Sequence, residues 1–199
     1  MNWIKDFIPT MKRNISQTFG NDKDSKIPEG LWKSCDKCGS ILYIPELKKN
    51  SYVCSKCSHH FKVNVTERID ITFDKDTYVN LNDAEQFNDY LQFKDTKKYK
   101  DRYQDALAKS DADEAISIGT GKVLGKDIVV AIFEFDFLGG SMGAVVGKRF
   151  TKAVDYAVEH NFPLVAFSTS GGARMQESMI SLFQMGKTAA AVKKLKKKK

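Results

Sequence analysis

The sequence predicts an α/β fold preceded by a small metal-binding module. Between residues 115 and 190, apolar runs of strand length alternate with runs of helical period, which is typical of a sheet covered by helices. Two pairs of adjacent glycines stand where a strand-like run passes into a helical one. All four cysteines of the chain lie close together nearer its start, which predicts the separate module. A length of 199 residues suits one domain of ordinary size with such an appendage.

The cysteines have the spacing of a four-thiolate zinc site. Two residues separate Cys35 from Cys38, two separate Cys54 from Cys57, and fifteen lie between the pairs. One tight turn aims two sulfurs at a single ion, and two such turns complete the tetrahedron that Zn²⁺ accepts. Because protein ligands fill all four positions, we expect a structural zinc rather than a catalytic one.

The residues between the cysteine pairs predict a zinc ribbon. The runs "ILYI" and "SYV" are short enough to be two strands of a hairpin. Disulfides and a redox dithiol are the alternatives, but cytosolic chains rarely use disulfides, and a redox site usually has a single CxxC pair. His59 and His60 are alternative ligands by position, although adjacent side chains diverge and four thiols already suffice.

The larger segment predicts the order strand, strand, helix, strand, helix. The runs "AISIGTGKV" and "DIVVAIFEFDF" are strands joined by a tight turn at "LGKD", and "PLVAFS" is a further buried strand. The first helix is "AVVGKRFTKAVDYAVEH", and the last is "ARMQESMISLFQMGKTAAAV", with Met175, Met179, Leu182 and Phe183 at helical spacing. A strand, helix, strand connection of this length favours parallel pairing by a right-handed crossover, so we expect a mixed sheet.

Two further helices are predicted before the sheet. The run "VTERIDITF" has helical period, with Thr66 as a candidate cap. The run "FKDTKKYKDRYQDALAKS" interleaves Phe93, Tyr99 and Tyr103 with lysines, a mixture that binders of single-stranded nucleic acid use. A solvated helix with Tyr99 and Tyr103 on one face is the alternative interpretation.

The glycine pairs indicate an anion-binding device. A strand that ends near Ser168, followed by Gly171 and Gly172 at a helix start, leaves backbone N–H groups without intrahelical partners. Those donors, together with the positive end of the helix dipole, suit an oxyanion. Gly139 and Gly140 repeat the pattern, and two such loops at one end of a sheet line a crevice where α/β proteins bind ligands. A glycine turn without chemistry is the alternative.

Three other functional motifs are excluded because each lacks a glycine that the motif requires. The run "SLFQMGKT" has serine where a P-loop requires its first glycine, and it lies inside a helical run. The run "GTGKVLG" has leucine where a dinucleotide fingerprint requires glycine, and it leads into a strand. The run "STSGG" lacks the first glycine of a nucleophile elbow, and no histidine partner is evident.

The positive charge of the chain is concentrated at its C-terminus. Six of the last seven residues are lysines, which account for most of the net charge of +7, and such a run is expected to be a solvated tail that binds polyanions weakly.

No window has the apolar length needed to cross a bilayer, and the N-terminus lacks the core of a secretory signal, which predicts a cytosolic protein. Residues 20–30 are a predicted linker. Before it, one face of a predicted short helix suits packing on protein or a membrane surface: Trp3, Ile4, Phe7 and Ile8.

Four motifs in order carry a resemblance to one family. The runs "CDKC" with "CSKC", "FKDTKKYKDR", "FLGGSMGAVVG" and "SGGARMQES" are similar to the carboxyltransferase beta subunits of bacterial acetyl-CoA carboxylases, over about residues 30–192. The resemblance implies a crotonase-like fold and transfer of carboxylate from carboxybiotin to acetyl-CoA, giving malonyl-CoA for fatty-acid biosynthesis. It implies that Gly171 and Gly172 are backbone oxyanion donors for the thioester enolate. The substrate contacts expected within the matching motifs are Gly139, Gly140, Ser141, Gly143 and Arg174.

The resemblance also implies partners. An alpha subunit would supply the biotin pocket, in a heterotetramer of two alpha and two beta subunits. Biotin would arrive in trans on the biotin carboxyl carrier protein, with an ATP-binding biotin carboxylase as a further component. The small-molecule ligands would be acetyl-CoA and malonyl-CoA, and the implied location is the cytoplasm.

The expected domain division follows from these motifs. Residues 1–30 are an N-terminal helix and linker, 31–62 the zinc ribbon, 63–192 the N-terminal part of a crotonase-like domain, and 193–199 a lysine-rich tail. Family members continue beyond the point where this sequence stops, so we expect the C-terminal part of the domain to be absent and a sheet edge to be exposed. Two other functions are open: a nucleic-acid-binding zinc-ribbon protein, and an inactive subunit that binds the alpha partner.

Overall fold

The computed structural model describes residues 30–84 and 87–197. The predicted N-terminal helix and all but the last residue of the predicted linker lie outside these residues, as do the last two lysines. The strands are β1 (Trp32–Ser34), β2 (Ile41–Tyr43), β3 (Val79–Asn80), β4 (Ile116–Val123), β5 (Lys126–Phe133) and β6 (Leu164–Phe167). The α-helices are α1 (Ile44–Lys49), α2 (Val65–Thr72), α3 (Tyr99–Lys109), α4 (Ala144–His160) and α5 (Met179–Lys196).

The larger sheet is mixed, as the sequence predicts. Its strand order is β3-β4-β5-β6, with β4 antiparallel to β5 and β5 parallel to β6. Leu124 and Gly125, both with positive φ, form the tight turn between β4 and β5. Helix α4 makes the crossover from β5 to β6, which confirms the predicted order of strands and helices. The short β3 pairs with β4 and was not predicted, because two residues carry no periodic signal.

The core lies on both faces of β4 and β5. Val129 and Ala131 are buried with residues of α3 and α4 on one face. Val130 and Ile132 are buried on the other face with Val65 of α2. Alternate residues of one strand therefore enter different apolar clusters, which explains the unbroken apolar run of β5. Helix α4 buries one apolar face, with Val146, Ala153, Val154, Ala157 and Val158.

The strand β6 and the start of α5 are more exposed than their apolar sequences indicate. Val165 in β6 is 38% exposed, because β6 pairs on one side with β5 and lies last in the described sheet. The prediction of a buried strand is therefore wrong. Helix α5 packs on α4 through Ala191 and the partly buried Leu195, while four apolar side chains in and just before its first turns are exposed. The exposed apolar side chains there are Met175, Met179, Leu182 and Phe183.

Two helix ends differ from the predictions. Asn64, not Thr66, caps α2: its side chain accepts a hydrogen bond from the Glu67 backbone N–H at 2.8 Å, and the Glu67 carboxylate accepts one from the Asn64 N–H at 3.0 Å. Helix α5 continues to Lys196, so the start of the lysine run is helical. Within residues 30–84 and 87–197, no helix combines the length and apolar character that a membrane span requires.

Candidate functional site

The four cysteine sulfurs converge on one point. The Sγ atoms of Cys35 and Cys57 lie 3.7 Å apart and those of Cys38 and Cys54 lie 3.8 Å apart, while all four fall within 4.8 Å of one another. A tetrahedron with Zn–S bonds of about 2.3 Å has edges of roughly 3.8 Å, so these separations fit a zinc ion and exclude disulfides. The cysteines are thus arranged to bind a metal, as their spacing predicts.

Matching backbone turns hold the two cysteine pairs. The N–H of Gly39 donates to the carbonyl of Cys35 at 2.8 Å, and the N–H of Ser58 donates to the carbonyl of Cys54 at 2.9 Å. Both turn residues have a left-handed backbone, with φ of 70° at Gly39 and 57° at Ser58. Each turn leaves its two sulfurs on the same side, which is how two residues between thiols complete half of a metal site.

The chain between the cysteine pairs departs from the predicted hairpin. Strand β2 pairs antiparallel with β1, which precedes the first cysteine, while residues 51–53 form no strand. Pro45 at the first turn of α1 ends β2 early, and Ser51 and Tyr52 have left-handed φ, which extended backbone cannot accommodate. His59 packs against Phe61, with ring centroids 5.3 Å apart, and the metal group found among the described residues contains only cysteines.

The thiols differ in acidity. Hydrogen bonds from the side chain and the backbone of Ser40 lower the pKa of Cys38 to about 6. Burial raises the pKa of Cys57 to about 12. A metal ion must displace the protons that remain on such thiols, so binding at this site is coupled to proton release.

The two glycine loops lie side by side, as predicted. We call residues 137–143 the first loop and residues 168–174 the second loop. The N–H of Gly171 donates to the carbonyl of Gly139 at 2.8 Å, and the N–H of Met142 donates to the carbonyl of Gly172 at 2.8 Å. The N–H of Arg174 then donates to the carbonyl of Met142 at 2.9 Å. The loops are therefore joined like two short parallel strands beyond the ends of β5 and β6.

Close approach between the loops explains one of the glycines. Gly140 has φ of +66°, and a Cβ atom placed there would lie 2.7 Å from the carbonyl oxygen of Thr169 in the second loop. Gly139 has the same φ with open space around it. Only a residue without a side chain allows the backbones to meet at Gly140.

The two expected oxyanion donors, the backbone N–H groups of Gly171 and Gly172, make different hydrogen bonds in this structure. The N–H of Gly171 is held by Gly139. The N–H of Gly172 donates to the hydroxyl oxygen of Ser170 at 3.0 Å, in an exposed part of the loop. A hydroxyl can rotate away, whereas the backbone bond of Gly171 belongs to the junction between the loops. The N–H that a ligand can reach with less rearrangement is thus that of Gly172.

Arg174, an expected substrate contact, is enclosed by protein and is 1% exposed in this structure. Its guanidinium forms an ion pair with Glu114, lies 3.3 Å from the Glu177 carboxylate and donates to the Tyr99 hydroxyl at 3.2 Å. It also donates to the side-chain oxygen of Ser141 at 3.2 Å and to the Ser141 carbonyl at 3.0 Å. These bonds occupy the side chain within the protein, so a direct substrate contact would require the cluster to open.

Two further expected substrate contacts, Gly143 and Ser141, also touch the buried cluster around Arg174. Gly143 is the N-cap of α4, and a Cβ there would lie 2.5 Å from Glu177 Oε1 and 2.9 Å from the Arg174 guanidinium carbon. The hydroxyl oxygen of Ser141 accepts a hydrogen bond from Arg174 Nε. Sequence reasoning missed Glu114, Tyr99 and Glu177 as partners of Arg174; the letters give one local signal, the Arg and Glu three residues apart in "ARMQE".

Buried charge in this cluster is stabilised by opposite charge. Burial alone would lower the pKa of Arg174, but the Glu114 carboxylate outweighs it, so the pKa is raised and the guanidinium stays charged. Burial raises the pKa of Tyr99, which therefore keeps its hydroxyl proton and donates it to Glu177 Oε1 at 2.8 Å.

Two further features lie near the loops. A groove of about 630 Å³ runs past Ser168 and Thr169 to the end of the cysteine module at Phe61 and Lys62. Along α3, Tyr99 and Tyr103 are 1% and 7% exposed, which confirms that they share one face of a helix. Buried rings cannot stack on bases, so Tyr99 and Tyr103 are not available for nucleic-acid stacking.

Comparison with protein families gives two matches that follow each other along the chain. Residues 61–198 match the family described as "Carboxyl transferase domain". Residues 32–57 match the family described as "Acetyl-CoA carboxylase zinc finger domain". The second match covers the segment that contains all four metal-binding cysteines.

Solved structures with a similar fold include carboxyltransferases and decarboxylases. Transcarboxylase 12S, crystallised with methylmalonyl-coenzyme A and methylmalonic acid, is 26% identical with a TM-score of 0.50, over 65% of this chain and 23% of that one. The MdcD-MdcE heterodimer of Pseudomonas malonate decarboxylase is 21% identical with a TM-score of 0.49, over 68% of this chain and 48% of that one. The beta subunit of P. aeruginosa geranyl-CoA carboxylase is 17% identical with a TM-score of 0.47, over 74% and 23%.

These matches confirm the expected crotonase-like mixed α/β fold and the zinc ribbon in front of it. The chain spans 23% of the transcarboxylase 12S chain that it resembles.

Proposed function

Because the chain belongs to the carboxyl transferase domain family, we propose that it is the carboxyltransferase beta subunit of an acetyl-CoA carboxylase. In this role it moves carboxylate from carboxybiotin to acetyl-CoA and produces malonyl-CoA for fatty-acid biosynthesis in the cytoplasm. We also propose the domain division stated above, with the ribbon over residues 31–62 and the carboxyltransferase segment over residues 63–192.

The observation that carries this proposal is the type of zinc ribbon. The carboxyl transferase domain supports the reaction class, and its structural neighbours act on several different substrates. The match of residues 32–57 to the acetyl-CoA carboxylase zinc finger domain, with four sulfurs at tetrahedral separations, favours acetyl-CoA as the acceptor. The ribbon itself has a structural role, because its four thiolates leave no ligand position for water or substrate.

The chemistry assigned to this chain is stabilisation of the thioester enolate. Carboxybiotin, carried in trans by the biotin carboxyl carrier protein, supplies the carboxylate. The second loop carries the candidate backbone donors: the N–H of Gly172 is the more accessible, while that of Gly171 is held by the carbonyl of Gly139. Removal of one such donor in other enzymes lowers kcat by about 10²–10³-fold. The groove beside Thr169 offers room for the rest of the thioester.

The partners belong to the same proposal. We infer an alpha subunit that holds biotin, assembled as two alpha and two beta subunits, with biotin carboxylase completing the enzyme. The family membership and the multi-subunit neighbours support a multi-subunit assembly. The groove and the joined loops lie at the surface of this chain, where a second subunit could close over them.

The test is carboxyl transfer in the reverse direction, from malonyl-CoA to a biotin analogue. The chain is assayed alone and with an alpha subunit, beside a beta subunit of established activity as a control. We expect transfer only when the alpha subunit is present. If the control is active and this chain is inactive with the partner, the catalytic proposal fails. Stable binding to the alpha subunit in that case would indicate an inactive subunit.

A matched pair of variants tests the role of the second loop. Gly172→Ala strains a backbone with φ of +100° and shifts the donor, while Gly125→Ala strains a backbone with φ of +76° in the distant β4–β5 turn. Neither added Cβ meets another atom within 4 Å, so both should cost similar folding stability. We expect kcat to fall about 10²-fold in Gly172→Ala and to stay near wild type in Gly125→Ala. Equal losses in both variants would contradict a donor role for Gly172.

Acceptor specificity is tested with the same assay. Malonyl-CoA, methylmalonyl-CoA and a longer branched carboxyacyl-CoA are compared as carboxyl donors by kcat/KM. A preference for malonyl-CoA supports acetyl-CoA as the physiological acceptor. A preference for either of the others keeps the carboxyltransferase assignment and overturns the acetyl-CoA one.

A further inference from the structure

We propose that Arg174 is a positioning residue that fixes the two glycine loops in register before any ligand binds. Its effect on catalysis depends on the proposed function, whereas its effect on the loops concerns this chain alone. The guanidinium binds the first loop and Glu114 just before β4, and it reaches the start of α4 through Glu177, so it determines where the backbone donors between the loops point.

Arg174 binds the first loop through three hydrogen bonds. Its backbone N–H donates to the Met142 carbonyl at 2.9 Å, its Nε to the Ser141 hydroxyl oxygen at 3.2 Å, and its terminal nitrogen to the Ser141 carbonyl at 3.0 Å. Two consecutive peptide units of the first loop are therefore oriented by one residue of the second loop. A rotation of either unit would break at least one of these bonds.

The other side of the guanidinium is fixed to the sheet. Both terminal nitrogens contact the Glu114 carboxylate, one of them at 3.1 Å, and Glu114 is itself 1% exposed just before β4. The same carboxylate accepts a hydrogen bond from the Ala115 N–H at 2.8 Å. A two-point contact between a planar guanidinium and a carboxylate sets an angle as well as a distance. The loops thereby take their orientation from the buried segment at the start of β4.

Glu177 extends this arrangement to the start of α4. Its Oε1 accepts hydrogen bonds from Arg174 at 3.3 Å and from the Tyr99 hydroxyl at 2.8 Å. Its Oε2 accepts one from the N–H of Ala144, the first residue of α4, at 2.6 Å. Arg174 carries one positive charge and cannot neutralise both Glu114 and Glu177. The positive end of the α4 dipole stabilises the second carboxylate, that of Glu177. Arg174, Glu114, Glu177 and Tyr99 thus form one satisfied network beneath the loops.

Lysine cannot reproduce these contacts. An ammonium group is a point charge with donors on one nitrogen, so it can pair with a carboxylate but cannot also hold the Ser141 carbonyl and hydroxyl. Arg174→Lys therefore keeps the buried charge and the backbone bond to Met142, and it removes the two side-chain bonds to Ser141 in the first loop. Arg149→Lys is the matched control, because Arg149 is also 1% exposed and paired with a carboxylate, that of Asp113, and the contacts described for it lie away from both loops.

The first experiment measures amide hydrogen exchange in the full chain and needs no activity. In Arg174→Lys we expect exchange in residues 139–144 and 170–174 to rise about tenfold or more relative to β4 and β5, because charge-assisted bonds to the loop are lost. In Arg149→Lys the loop exchange should change only as much as that of the sheet. Equal loop exchange in the two variants overturns the proposal.

The second experiment measures kinetics in the assembled enzyme. We expect kcat of Arg174→Lys to fall about 10²-fold with KM for the thioester changed much less, since misplaced donors affect the transition state more than binding. A merely structural role predicts instead that kcat per folded site is retained. Should the wild-type chain show no transfer, the proposed function fails, and the exchange experiment still decides the positioning role.

Ser141→Ala provides a milder variant if Arg174→Lys folds poorly. It removes one acceptor from the Nε of Arg174 and leaves the ion pairs with Glu114 and Glu177 in place. We expect a smaller rise in exchange confined to residues 139–144. If exchange in those residues is unchanged in Ser141→Ala, a role for the bond between the Arg174 Nε and the Ser141 hydroxyl in fixing the first loop is contradicted.

Discussion

The zinc ribbon and the carboxyltransferase segment are stabilised in different ways. The ribbon strands β1 and β2 are three residues each, and β1 is exposed throughout. The strands β4 and β5 are eight residues each and contain side chains with no exposed surface. In the ribbon, two of the four metal-binding thiols are themselves members of the small core. The ribbon therefore depends on its metal, while the larger segment depends on packing and on a buried ion network.

Removal of the metal should have the largest effect on the difference in stability between the two regions. We expect Cys57→Ser, or treatment with a chelator, to unfold residues 31–62 and to leave β4, β5 and α4 folded. Structural zinc contributes about 10–16 kcal/mol of binding free energy in small fingers, which exceeds what so small a core can replace. Amide exchange resolved by segment, together with zinc content per chain, measures the outcome.

The matched control for zinc removal is Ser55→Ala, an exposed position within the second cysteine turn. It should keep about one zinc per chain and wild-type exchange. Loss of protection in β4 and β5 at the same chelator concentration as in the ribbon would show that the two regions unfold together. That result would replace the comparison with a single cooperative unit.

A smaller effect is expected from the junction between the loops. Gly139→Ala meets open space, and its left-handed backbone should cost about 1 kcal/mol of unfolding free energy. Gly140→Ala has the same φ, and its Cβ would also lie 2.7 Å from the Thr169 carbonyl oxygen, so we expect roughly 2 kcal/mol more. Denaturant unfolding followed in the larger segment measures both variants, and zinc content should stay constant. Equal destabilisation would mean that the loops separate easily.

These two regions also differed in how far the sequence could predict them. The metal site was predicted correctly because thiol spacing directly reflects coordination geometry, and β4, β5 and α4 were predicted because their apolar periods are long. The prediction of a strand at residues 51–53 was wrong because Pro45 and the left-handed residues Ser51 and Tyr52 redirect this short segment. The burial of β6 was wrong because an apolar run does not reveal its place in the sheet.

The role of Arg174 could not be predicted for a different reason. Its partner Glu114 is sixty positions away in the chain, and only the fold brings the two charges together. An arginine beside a glycine pair suggests an anionic ligand, and the protein supplies its own carboxylates instead. Long-range ion pairs leave no periodic pattern, so this part of the candidate site needed the structure.

The smallest expected effect concerns acid stability of the larger segment. A hydrogen bond from the buried Arg149 lowers the pKa of Asp113, at a distance of 2.5 Å between Arg149 Nη2 and Asp113 Oδ2. A lowered folded-state pKa contributes stability above the unfolded pKa of about 3.9, and this stability is lost as the pH falls through the folded value.

Asp113→Asn tests this sign. The Asp113 side chain is 56% exposed, so screening limits the effect to about 1 kcal/mol between pH 5 and 7. The difference in unfolding free energy between wild type and Asp113→Asn should be constant in that range and shrink below about pH 4. Asp155→Asn, which removes only an exposed pair with Lys194, is the control and should show little change at any pH. If the difference in unfolding free energy grows as the pH falls, Asp113 stabilises the fold in its protonated form. The ion pair with Arg149 is then not the source of the stabilisation.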